Sequence, residues 1–201
     1  MTRKFAGDEL VIASHNKGKL AEFSQMFQGR NLKISSAADF NLESPEETGT
    51  TFLENAALKA LFVARATGKP ALADDSGMCV TALNGDPGVY TADWAEREKG
   101  GPRDWDYAMQ KVHDLMADKP DKSAAFVACL VLAWPDGHCE SVEARMEGSI
   151  VWPPRGRRGF GYDPVFMPIG HDIVYAEMDE ATKNTISHRA LAFRMMMEKC
   201  F

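Results

Sequence analysis

Ala71-Leu72-Ala73-Asp74-Asp75-Ser76-Gly77 carries a short apolar run straight into two acids, a hydroxyl and a glycine. Such a run reads as a buried strand, and its end predicts two carboxylates at the mouth of a sheet. Two neighbouring carboxylates repel, and burying both requires a counter-charge. A divalent cation meets that need, and a hard one such as Mg²⁺ takes oxygen ligands. The same residues also read as an N-capped turn, because Asp, Ser and Gly are all turn formers. The flanking sequence has to decide between a site and a turn.

Upstream, Thr51 and Glu54 have capping-box spacing and open a helix that runs to about Arg65. Phe52, Ala56, Lys59 and Val63 share one face of it, and Gly68 and Pro70 end it. Further upstream, Leu10-Val11-Ile12-Ala13 is a buried strand, Ser14 to Lys19 a polar turn, and Leu20, Phe23 and Phe27 recur at helical spacing. Strand, polar loop and helix make the first half of a crossover unit.

Downstream, Gly85-Asp86-Pro87-Gly88 is a tight turn, and Trp105, Met109, Val112 and Met116 mark a helix. Ala124 to Trp134 is the strongest strand signal, broken by Pro135-Asp136-Gly137, with Glu140 to Met146 returning as its hairpin partner. Antiparallel pairing beside a crossover unit predicts a mixed sheet, and with the helices between its strands an α/β fold. Trp152 to Asp163 reads as a loop, and a final helix spans about Ser187 to Lys199. Its Met195-Met196-Met197 run reads as core or dimer packing.

The chain has 201 residues, 45% hydrophobic and 26% charged, which predicts one soluble globular domain. A net charge of −6 argues against a nucleic-acid partner, whose backbone needs a basic face. No run approaches the ~18 apolar residues of a membrane span. Met1 to Phe5 lacks the apolar stretch of a signal peptide, and the four cysteines form no CxxC pair. Both features predict free thiols in a reducing cytoplasm.

Several segments carry candidate chemistry. Ser14-His15-Asn16-Lys17-Gly18-Lys19 lies between a strand and a helix, where backbone N–H groups can receive an anion. It lacks Walker A spacing and reads equally as a solvated capping turn. Glu47 of the acidic Asn41–Gly49 stretch can join Asp75 in a two-carboxylate Mg²⁺ site. Phe160 stands between Gly159 and Gly161, as a stacking platform for a base or as a core aromatic in a bulge. Lys183 and Ser187-His188-Arg189 gather donors near the start of the last helix, suited to an anion or a carbonyl oxygen. Arg155, Arg157 and Arg158 read as a phosphate rim or a solvated loop.

The segments occur in a telling order: Ser14-x-Asn16-x-x-Lys19, Glu46-Glu47-Thr48-Gly49, Phe52-x-Glu54-Asn55-Ala56-x-x-Lys59, Ala73-Asp74-Asp75-Ser76-Gly77, Pro87-Gly88-Val89-Tyr90, Gly159-Phe160-Gly161-Tyr162-Asp163-Pro164 and Ser187-His188-Arg189. Together they resemble the inosine triphosphate pyrophosphatase family, the dITP/XTP pyrophosphatases, from about Val11 to Arg194. The resemblance implies Mg²⁺-dependent hydrolysis of ITP, dITP and XTP to monophosphate and pyrophosphate, which cleanses the nucleotide pool. It implies a long mixed sheet dividing two lobes around a cleft, and a homodimer.

Carried over by position, Asp75 is the catalytic acid and a metal contact, and Glu47 the other metal carboxylate. Ser14 to Lys19 bind the triphosphate. Lys59, Ser76 and Lys183 are further substrate contacts. Phe160, Gly161, Tyr162, Asp163, His188 and Arg189 bind the base. Ala95 to Trp105 looks lineage-specific and receives no role.

Overall fold

In the computed structural model, which describes residues 2–201, the chain runs β1 (Glu9–Ile12), α1 (Lys17–Met26), β2 (Lys33–Ser36), α2 (Phe52–Thr67), β3 (Ala71–Val80), α3 (Trp105–Leu115), β4 (Ser123–Ala133), β5 (Cys139–Ile150), β6 (Phe166–Pro168), α4 (Glu180–Ile186) and α5 (His188–Cys200). The strands form one sheet in the order β2-β1-β3-β4-β5-β6. β1 pairs parallel with both β2 and β3, and β5 pairs antiparallel with β6, so the sheet is mixed as expected. No helix among the described residues is long and apolar enough to cross a membrane.

The chain divides into two compact units. The first is the chain up to Asp75 with Ala128–Ala144 and Arg189–Phe201; the second is Ser76–Val127 with Arg145–His188.

In the first unit, the period-2 alternation of strands sorts the core. Leu10, Ile12 and Leu72 pack with Phe23 of α1, with Phe27 just after it, and with Ala192, Phe193 and Met196 of α5. Val11, Ala71 and Ala73 point the other way, onto Ala56, Ala60, Val63 and Ala64 of α2. The α2 residues recur at helical spacing, so one stripe covers the sheet. The expected capping box closes its N-terminus, and Gly68 ends it in the left-handed region at φ 66°. In the second unit, Met109, Val112 and Met116 of α3 pack with Met78, Val80, Phe126, Phe166 and Tyr175.

Some expectations need correction. β3 does not stop at its two acids but runs on to Val80, so Asp74-Asp75-Ser76-Gly77 is neither turn nor strand end. The apolar Met78 and Val80, fully buried beyond Gly77, keep it in the sheet. The final helix stands close to its expected span as α5, while the short α4 before it, ending at Ile186 with Ser187 extended between them, was not expected. α1 starts at Lys17, so Lys17-Gly18-Lys19 form its first turn, not a loop. β2 and β6 carry too few apolar residues to stand out: one is Lys-Ile-Ser-Ser, the other three residues ending in proline. Of the methionine run, Met196 is core and Met195 is exposed.

Candidate active site

Asp74 and Asp75 are successive residues of one strand, so their side chains leave it on opposite faces. On the α2 face, Lys59 Nζ donates to Asp75 Oδ1 at 2.8 Å and to Glu47 Oε1 at 3.1 Å. The two carboxylate oxygens are therefore no further apart than those two distances combined. Asn55, one turn before Lys59 on α2, donates to Asp75 Oδ2 at 3.5 Å. Its side-chain oxygen also accepts from Gly49 N at 2.8 Å, which ties the acidic stretch to the helix. A Cβ at position 49 would come within 2.6 Å of Asn55 Oδ1, so this close approach needs glycine.

Lys59 is one cation between two acids. Burial lifts the Asp75 carboxyl above its ordinary range; Lys59 opposes the rise and Glu47 adds to it. Burial alone would lower Lys59, but Asp75 and Glu47 raise it. The two directions have different causes: Asp75 rises chiefly because it is buried, and Lys59 rises because two acids share its one charge.

On the opposite face, Asp74 is buried among cations. Lys19 Nζ lies 2.7 Å from its Oδ2, and Arg189 donates to the same oxygen through Nη2 at 3.1 Å and Nε at 3.2 Å. Arg189 Nη1 also pairs with Glu22. Burial would raise the Asp74 carboxyl, but Arg189 and Lys19 hold it well below the usual carboxylate range. Lys19 is itself lowered, chiefly by burial.

Arg189, only 2% exposed, directs its guanidinium to Asp74 and Glu22. The adjacent acids do not share a counter-ion, because the pleat sends each to its own partners. Sequence reasoning missed Glu22 and Asn55, although Glu22 lies three residues after Lys19 and Asn55 four before Lys59, the spacings of one helix face.

The Ser14–Lys19 segment is more ordered than a free loop. Asn16 caps α1, its Oδ1 accepting from Gly18 N at 2.9 Å and Lys19 N at 3.2 Å, while Asn16 N donates to Ser14 Oγ at 3.1 Å. The His15 ring nitrogens lie 2.7 Å from Leu42 O and 2.8 Å from Ser44 Oγ. Lys17 is exposed in the first turn.

In the second unit, Gly159 and Gly161 adopt left-handed φ of 74° and 67° around a half-exposed Phe160. Asp163 Oδ2 accepts from Phe160 N at 2.8 Å and from Lys183 Nζ at 2.6 Å. Lys183 Nζ also lies 5.0 Å from the Phe160 ring centroid, a cation–π contact. Tyr162 is buried, and burial pushes its hydroxyl pKa up. His188 is buried too, its ring stacked at 4.8 Å on Phe126. Ser76 is half-buried in β3. Arg157 and Arg158 are exposed, the solvated-loop reading of that segment.

Among the described residues, no group of three or more His, Cys, Asp and Glu side chains is arranged to hold a metal. Two carboxylates converging on one ammonium do fit a hard cation of the Mg²⁺ kind, which binds through one or two carboxylates and takes its other ligands from water and phosphate. The surplus negative charge around Lys59 suits that ion, and Glu47, its side chain 44% exposed, is open to it.

The Ham1 family model matches residues 10–199. A protein from Ruegeria pomeroyi named dITP/XTP pyrophosphatase is 53% identical over 204 residues, covering 100% of this chain and 99% of its own. One of the same name from Rhodospirillum centenum is 52% identical, covering 99% and 98%. The solved structure of a HAM1 protein from Coxiella burnetii matches with a TM-score of 0.87 at 38% identity, over 94% of this chain and 96% of that one.

Proposed function

Because the chain belongs to the Ham1 family, we propose that it is a nucleoside triphosphate pyrophosphatase converting the deaminated purine nucleotides ITP, dITP and XTP to monophosphate and pyrophosphate. The observation that carries this reading is Lys59 held between Asp75 and Glu47. It joins, at one point, a base and a charge-neutralising group from the matched motifs.

Asp75 is the general base. Burial strengthens it by raising its affinity for a proton, which moves a carboxyl towards the working pH. Lys59 keeps Asp75 and Glu47 aimed at one spot and offers positive charge to the phosphates. Asp75 and Glu47 would hold Mg²⁺, which would act as a Lewis acid on phosphate charge. Ser14 to Lys19 serve the triphosphate, with Lys17 the exposed cation of that segment and Lys19 turned to Asp74. Ser76 remains a substrate contact in the proposal.

For base selection, Phe160 supplies a stacking face, set by Gly159, Gly161 and Asp163, with Lys183 over its ring. Hypoxanthine and xanthine present a 6-oxo acceptor where adenine presents an amino donor. A site with a donor at that point can reject the mismatch by ~10⁴ or more. Of His188 and Arg189, the donor role falls to His188, since Arg189 is held by carboxylates. A homodimer, from the family resemblance, and a cytoplasmic setting, from the unpaired cysteine pattern, complete the proposal.

The test is incubation with dITP, ITP, XTP and ATP, with and without Mg²⁺, reading pyrophosphate against orthophosphate. The expected result is pyrophosphate from the deaminated purines, little from ATP, and none without the metal. Orthophosphate as the first product, or a preference for ATP, would overturn the reading.

A further inference from the structure

Trp105 is the first residue of α3 and the last of the Ala95–Trp105 segment, which received no role from the sequence. Its indole lies against the backbone of the Gly159–Asp163 loop. A Cβ built on Gly161 would sit 3.7 Å from Trp105 Cζ3 and 3.9 Å from Cε3 and Cη2, ordinary contact distances. The ring also meets Tyr162 edge-on, centroids 5.7 Å apart at 74°. Trp105 thus packs beneath the two residues that follow Phe160.

The preceding segment is built to hold that tryptophan in place. Asp104 caps α3, its Oδ1 accepting from Tyr107 N at 3.0 Å, and its Oδ2 accepts from Arg97 at 2.7 and 2.9 Å. The Arg97 guanidinium lies 4.7 Å from the Tyr107 ring centroid. Asp104 N donates to the carbonyl of the buried Ala95 at 2.7 Å, and Glu96 bridges to Arg103. Both ends of the segment are therefore fastened to the start of α3.

We propose that Trp105 is a positioning residue for base recognition: it supports Gly161 and Tyr162 from below and so fixes the plane of Phe160. This rests on the function proposed above. Phe160 is held between Gly159 and Gly161, both at left-handed φ, and glycine leaves the backbone at those two points permissive. A firm aromatic floor removes that freedom. The Arg97–Asp104 clasp acts one step further back, by fixing the first turn that carries Trp105.

Steady-state hydrolysis of dITP by the full chain tests this, with Trp105→Ala, Trp105→Phe and Arg97→Ala beside Trp134→Ala, which removes a buried aromatic of the first unit outside the proposed machinery. The expected result for Trp105→Ala is a KM raised ~10-fold, the scale of one base–aromatic stack, with kcat within ~2-fold. Trp105→Phe restores most of the loss, Arg97→Ala shifts KM the same way by less, and Trp134→Ala lowers Tm without moving KM. If Trp105→Ala does not fold, the KM values of Trp105→Phe and Arg97→Ala decide. An unchanged KM in the folded Trp105 and Arg97 variants overturns the inference alone. Wild-type protein that releases no pyrophosphate from dITP instead overturns the function beneath it.

Discussion

Asp74 and Asp75 are neighbours in the chain but share no side-chain partner in their shortest contacts: Asp74 is clasped by Arg189 and Lys19, Asp75 by Lys59. The strand pleat does this at no cost in sequence, since a residue and its successor always face opposite sides. One acid becomes a ballast for the fold, and the other is left in a site with surplus negative charge. The cation count on each face explains their opposite electrostatics. Asp74 has two full cations and is depressed; Asp75 shares one with Glu47 and is raised.

Replacing Asp74 tests the structural half. Asp74→Asn leaves Arg189 and Lys19 facing an amide in a buried setting, and unpairing such a group costs about 3–5 kcal/mol. Urea unfolding should show a free energy lower by that amount, seen as a lower midpoint at unchanged slope. An unchanged midpoint would show that the clasp contributes nothing to the fold.

Replacing Asp75 tests the chemical half. Its ionised form is already disfavoured by burial, so the amide should leave thermal stability close to wild type. Turnover of dITP should fall by ~10²–10⁴, the usual share of a general base. A folded Asp75→Asn protein with near-normal turnover would remove Asp75 from the mechanism.

Much of this site was legible from residue order. The capping box at Thr51–Glu54 placed α2, the spacing of Phe52, Ala56, Lys59 and Val63 put the lysine on its buried face, and both survive in the structure. What failed was any feature that depends on a partner far along the chain. Ser76-Gly77 has the chemistry of a turn, and only pairing within the sheet made it strand. Arg189 was read beside His188 near a helix start, and its pairing with Asp74, 115 residues away, left no local signal. The short α4 was not legible, since its seven mostly polar residues are too few to show a helical period.

The edge of the first unit offers a pH test. Glu9, at the start of β1, accepts from Lys69 at 2.6 Å and Ser35 at 3.1 Å and pairs with Lys33 at 3.1 Å. Lys69 first, then Lys33, bring its carboxyl down from 4.5 to about 2 against a smaller opposing effect of burial. A carboxyl depressed by folding adds stability above its unfolded value and loses it as pH falls through the folded one. The Tm gap between wild type and Glu9→Gln should therefore be full above pH 4.5, shrink below it and close near pH 2. A gap that stays constant across that interval would show that Glu9 gains nothing from its lysines.

Gly159 and Gly29 make a matched pair for the loop that carries Phe160. Both are in the left-handed region, at φ 74° and 79°, so alanine at either costs roughly 1–2 kcal/mol in backbone strain. Around Gly29 a Cβ would meet nothing within 4 Å, so strain is the whole effect. At Gly159 the same atom would collide with the Asp163 carboxylate, which holds both Phe160 N and Lys183 Nζ. Gly29→Ala should thus lower Tm and leave KM for dITP unchanged, whereas Gly159→Ala should lower Tm further and raise KM, because Asp163 cannot move without releasing the platform and its lysine together. Equal KM values in the two variants would mean that Asp163 does not set the position of Phe160.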